Sequence, residues 1–308
     1  MRVEWSVFPV ASALFAGAMI AVEHPSIALS AERLRPLRQS IASLPAFLRS
    51  PFLGPAIWSR ALAVASQEER LEKIWQSVLV AFHNAFPEQQ DASDCLPALL
   101  AVTDSLCESL AVRTDRFREE MILRAGPLRQ LWEARGPGLM QTLDRTIDYP
   151  VALSEARINC VYPITGGGGI SHVSHGVATI EAVLANPWDQ LPEVARLGWL
   201  LIQLRYSPPG TDVTLYETPG ISSSQVLALA LIPAVINAAQ HMELAQYHPR
   251  TIELAISQWM VPRPDNAAQL AAVLDDWWQR HAARASAWPE SLAALHQAIA
   301  ALTRHESA

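Results

Sequence analysis

Between residues 7 and 22 the chain is apolar almost without a break, interrupted only by Pro9, Ser12 and Gly17. Further on, apolar positions recur at three- and four-residue steps. Leu71, Ile74, Trp75, Val78, Phe82 and Phe86 make one stripe, and Leu96, Leu99, Leu100, Thr103, Leu106 and Leu110 make another. That spacing puts each set on one side of a helix, so two amphipathic helices are predicted, the second capped by Asp94. A third opens at Thr114 and Asp115 and is expected to stop near Arg135, where Gly136-Pro137-Gly138 breaks the pattern. Prolines at 36, 45, 51 and 55 cut residues 25–60 into short helical turns.

Near residue 150 the period shortens to two. Ile158, Cys160 and Tyr162 alternate with Arg157, Asn159 and Val161; Ala178, Ile180 and Ala182 alternate with Val177, Thr179 and Glu181. Two strands across a glycine-rich loop predict a β-hairpin or small sheet at about 156–184. Helices then resume. Residues 192–206, capped by Asp189, have almost no polar face, which predicts a buried central helix on which the β element packs. Ser222-Ser223-Ser224-Gln225 fits a capping box for a helix to about Tyr247. Asp265 caps another helix through Trp277-Trp278, and the last runs from about Pro289 to Arg304. The expected class is mainly α (α+β), a multi-helix bundle with one small β element. It divides into an N-terminal helical lobe at 1–150 and a β-plus-helical lobe at 151–308, forming one compact unit.

Composition narrows the chemistry. The chain has 308 residues, 50% of them hydrophobic, and carries 23 basic against 30 acidic side chains. So large an apolar fraction opposes disorder, and a net charge of −7 opposes nucleic-acid binding. Cys95, Cys107 and Cys160 are odd in number and lack CxxC spacing, which suits buried thiols in a reducing compartment. The run at 7–22 is short for a membrane span. Ala16-Gly17-Ala18 imitates a cleavage site, but Glu4 stands where a signal peptide is basic. A buried N-terminal helix in a cytoplasmic protein is the expectation, with a signal peptide at 1–18 as the alternative.

Catalytic patterns fail one after another. Gly166, Gly167, Gly168 and Gly169 match neither a P-loop nor a dinucleotide fingerprint, leaving a flexible turn or a close backbone approach to a ligand. His172 and His175 follow the loop and are candidate metal ligands, with Glu181, His241 and Glu243 the only candidates for a third. Cys160 near His172 offers a thiolate pair, although a strand cysteine ordinarily packs. No GxSxG elbow exists. Gln203 on the central helix, with Asp212 and Glu217 in the loop after it, are the remaining ligand-binding candidates. Trp277-Trp278, beside Arg280 and His281, reads as a helix–helix contact rather than a base-stacking platform.

The order strand, glycine turn, strand ending Glu181-Ala182-Val183-Leu184, then capped central helix resembles the core of the zincin-type metallopeptidases over residues 156–247. In that family the central helix carries HExxH, whose histidines bind zinc while its glutamate activates water. Residues 196–204 stand at that place and contain no zinc ligand, and HExxH is absent from the whole chain. The resemblance therefore implies a degenerate member without metal, and no catalytic residue carries over. The expected function is that of a soluble, non-catalytic binding or interaction protein that takes no cofactor, its partner another protein or a second copy of the chain. The alternative is a metal-dependent hydrolase with its site at Gly166–Gly169, His172 and His175.

Overall fold

The computed structural model describes the chain except residues 25, 28, 46–47, 49–52, 86–93, 148–154, 207–222, 261–263, 285–287 and 307–308. The described residues form eleven helices and one four-stranded mixed sheet, a mainly α, α+β architecture. They group into two units. One comprises residues 2–127 and 155–184; the other comprises 128–154 and 185–308, together with residue 1. The strands after residue 150 thus belong with the N-terminal helices, not with a C-terminal lobe.

In the first unit, β1 (Arg2–Ser6), β2 (Glu155–Val161), β3 (Gly169–His172) and β4 (Val177–Glu181) are ordered β1-β2-β4-β3. The β1–β2 and β2–β4 pairs are parallel, and only β3–β4 is antiparallel. The two strands read from the sequence are therefore not hairpin partners. β3 and β4 form the hairpin, turning through Val173–His175 and a left-handed Gly176, and β4 is inserted beside β2. β1 escaped the sequence reading because five residues with two charges give a weak alternating signal.

Both faces of the sheet are buried: Ile158, Cys160, Ala178 and Ile180 on one, Asn159, Thr179 and Glu181 on the other are fully inaccessible. Parallel strands covered on both faces explain why β4 has no exposed position. Among the described residues, α1 (Pro9–Ala21) and α3 (Leu53–Ala65) pack against this sheet within the unit. The apolar run expected to be a buried helix is α1, which opens on Pro9 and is buried from Pro9 to Ile20. Its close approach to α3 requires Gly17, where a Cβ would lie 2.7 Å from the Trp58 ring. Trp58 in turn meets Trp75 edge to face at 5.4 Å, joining α3 to α4 (Leu71–Ala85). The unit also contains α2 (Ala31–Ala42) and α5 (Leu96–Ser109). A 3₁₀ turn at Asp94 and Cys95 leads into α5, whose N-cap is Cys95 with no side-chain cap; Asp94 does not cap it.

Helix α6 runs unbroken over Asp115–Thr146, through Gly136-Pro137-Gly138, and does not stop near Arg135. Each interior proline forfeits a hydrogen bond and costs about 3 kcal/mol. Burial of Met121, Leu128, Trp132, Leu139, Met140 and Leu143 along the same helix outweighs that cost. Gly136 is needed beside Trp132, whose ring would lie 2.4 Å from an added Cβ.

The second unit is built around α8 (Ser223–His241), which touches α7 (Glu193–Tyr206), α9 (Pro249–Trp259), α10 (Ala267–Arg284) and α11 (Trp288–Glu306). Its residues 224–241 are long and apolar enough to cross a membrane, yet two thirds of them are buried within the fold. The sequence reading passes over α9, whose 11 residues bury Ile252, Ala255, Ile256 and Trp259 on one side. Helix α7 is capped not by Asp189 but by Asn186, whose side chain accepts the Glu193 amide at 3.1 Å. Trp277 donates to the Ser291 carbonyl at 2.8 Å and is buried with Trp278 and Trp288, so the tryptophan pair is a helix–helix contact.

Candidate functional site

The glycine loop lies where ligands of parallel sheets usually bind, beyond the carboxyl ends of β2 and β4. Gly166 and Gly167 adopt φ of +80° and +129°, conformations that side chains disfavour, and this turns successive N–H groups inward. Those groups already have a partner. One carboxylate oxygen of Glu181 accepts from the Ile164 and Thr165 amides at 2.6 and 2.7 Å. The other accepts from the Gly167 and Gly168 amides at 2.5 and 2.9 Å and from the Thr165 hydroxyl at 3.1 Å. Glu181 has no exposed surface. The loop is thus an anion nest filled from within, its charge balanced by four amides and a hydroxyl. An added Cβ at Gly168 would stand 2.8 Å from the Thr165 hydroxyl and 3.1 Å from Phe15, so the loop also needs glycine for its closeness to α1.

His172 ends β3 on the same sheet face and is 3% exposed. Its Nδ1 meets the Ser59 hydroxyl at 3.0 Å and its Nε2 meets the Thr179 hydroxyl at 2.9 Å. Both ring nitrogens are therefore engaged. Burial, reinforced by the nearby charge of His175, pushes its pKa down to about 3. Ser59 and His172 have the spacing of a nucleophile and its base, but so weak a base is poorly matched to neutral pH. The pair also lacks a carboxylate partner: the third group is Thr179. What the relay does is tie α3 to β3 and β4. Beside Thr179 in the parallel register lies Asn159, fully buried, whose amide has no hydrogen-bond partner among the described residues.

His175 does not join His172 at a common centre. It lies in the 3₁₀ turn, half-exposed, with its Nδ1 2.8 Å from the Ser174 hydroxyl. Among the described residues no three His, Cys, Asp or Glu side chains are placed to hold a metal ion. Of the candidate third ligands, Glu181 is spent on the glycine loop, while His241 and Glu243 belong to the other unit, His241 bonded to the Asn237 carbonyl at 2.8 Å. Cys160 and His172 lie on opposite faces of the sheet, since Cys160 pairs with Ile180 and His172 bonds Thr179. Burial pushes the Cys160 thiol up to about 12 and the Cys107 thiol up to about 11, so both are packing groups. All three cysteines are free and buried.

Gln203 turns its amide back onto its own helix, donating to the Trp199 carbonyl at 3.0 Å. Asp212 and Glu217 lie outside the described residues. The principal buried polar groups of α7 are instead Glu193 and Arg196, 2% and 1% exposed and 3.4 Å apart, which the reading of an all-apolar helix overlooked. Reasoning from sequence also missed Ser59, Thr179 and Asn159. Ser59 lies 113 residues from its histidine, so no local spacing could announce it. Comparison with known proteins adds no relative: no family model, curated protein or solved structure matches the chain.

Proposed function

We propose that this chain is a soluble, non-catalytic binding or interaction protein whose partner is another protein or a second copy of itself. The observation that carries the reading is the closure of the glycine loop on Glu181, which occupies the amides a substrate anion would need. The engagement of both His172 nitrogens by hydroxyls points the same way. The zincin-like order of elements is kept in this reading as a scaffold without HExxH, whose residues 196–204 carry no zinc ligand. The proposed compartment is the cytoplasm, which suits three buried free thiols. Loss of residues 1–18 would take β1 and most of α1 out of the fold.

Elemental analysis of protein purified without chelators, together with an ester, peptide and phosphoester turnover screen, tests the functional reading. The expected result is no stoichiometric metal and no turnover. Metal or turnover that disappears in the His172→Ala/His175→Ala variant would overturn it.

A further inference from the structure

β1 ends the sheet, and no described strand pairs with its outer edge. Arg2 and Glu4 project from one face of this strand with side chains 83% and 71% exposed. Their charges continue a pattern already present across β1 and β2: Arg2 lies 3.7 Å from Glu155, and Glu4 lies 3.6 Å from Arg157. Edge strands are commonly protected by shortness and by charge. Here the two charges have opposite sign and are two residues apart, which makes the edge complementary to itself.

We propose that β1 docks against β1 of a second copy of this chain, antiparallel, about a two-fold axis at Val3. Residues directly opposite in an antiparallel pair share a face. An axis at Val3 therefore sets Arg2 opposite the partner's Glu4 and Glu4 opposite the partner's Arg2. The row then reads Glu155, Arg2, the partner's Glu4, the partner's Arg157, alternating in sign across four strands, and symmetry repeats it. Moving the axis to Glu4 would set two carboxylates face to face, so charge selects the register. The contact is isologous, as a two-fold dimer requires, and it gives the edge backbone groups of both copies their missing partners.

The inference deepens the interaction reading above and rests on it for its biological sense, but the two fail separately: turnover contradicts the interaction reading, and a monomer contradicts the dimer. A five-residue strand buries well under the usual interface of about 800 Å² per partner, so the dimer is expected to depend on concentration. The test is sedimentation equilibrium of the full chain across a wide concentration series. The wild type is expected to dimerise. Arg2→Glu and Glu4→Arg, each placing like charges across the axis, are expected to lose about tenfold or more in association constant, equivalent to ~1.4 kcal/mol. An equimolar mixture of the two variants should dimerise again, because one then presents two acids and the other two bases. In the wild type, backbone amides of residues 2–6 should gain exchange protection as concentration rises. A wild type that stays monomeric, a dimer that survives both single substitutions, or a mixture that fails to pair would each overturn the proposal.

Discussion

At the scale of single residues, the candidate site is governed by satisfaction of buried polar groups. His172 shows how much this weighs. Its folded pKa of about 3 lies below the ordinary value of 6.5, because burial between the Ser59 and Thr179 hydroxyls favours the neutral ring. Below pH 6.5 the unfolded chain binds a proton that the folded chain refuses. The stabilising contribution of neutral His172 is therefore complete above pH 6.5 and is lost as pH falls toward 3, by roughly 1.4 kcal/mol per pH unit. Urea unfolding at pH 7 and pH 5 should show the wild type losing more stability than His172→Gln over that interval, before carboxylates begin to titrate. Equal losses in the two proteins would mean that His172 is not held neutral. The sequence displayed His172 and the glycines plainly but not their partners. Glu181 is 13 residues beyond Gly168, and Ser59 is 113 residues before His172, so neither has a local spacing that marks it.

At the scale of elements, periodicity identified helices with a long apolar stripe, as in α4, where Ile74, Trp75, Val78, Leu79 and Phe82 are buried, but not the shorter α9. It failed where packing overrode local preference. Gly136-Pro137-Gly138 reads as a stop, yet α6 continues because its buried side chains outweigh the lost hydrogen bonds. It also failed for pairing direction, since alternation marks strands without saying which neighbour each takes. Helix α7 is the instructive mixture: its burial was legible, while the charges buried in it were not. Removing one partner of a buried ion pair leaves an uncompensated charge. Arg196→Met alone is accordingly expected to destabilise the protein by about 3–5 kcal/mol, whereas Glu193→Leu/Arg196→Met should recover most of that loss. Chemical denaturation of the three proteins checks this. A double variant no more stable than Arg196→Met would mean that the pair does more than balance charge.

At the scale of the whole molecule, two units share one chain, and the second of them holds an apolar helix, α8, within its own core. The class, mainly α with a small sheet, followed from counting helical stripes against strand alternation. Membership of the sheet did not, because β1 and β2 are brought together from residues 2 and 155. One internal contact, the Glu181 carboxylate inside the glycine loop, closes the candidate site. Glu181→Ala removes from that nest a fragment the size of acetate, and a ligand at free concentration c that binds only the folded state raises stability by RT ln(1 + c/Kd), which keeps growing after the site is full. The decisive measurement is therefore thermal unfolding of the wild type and of Glu181→Ala across an acetate series at constant ionic strength. For the variant alone, Tm should rise with acetate, approaching a linear dependence on the logarithm of its concentration. A matching rise in the wild type would show loop amides open to external anions, and no rise in the variant would show that the carboxylate does not organise the loop.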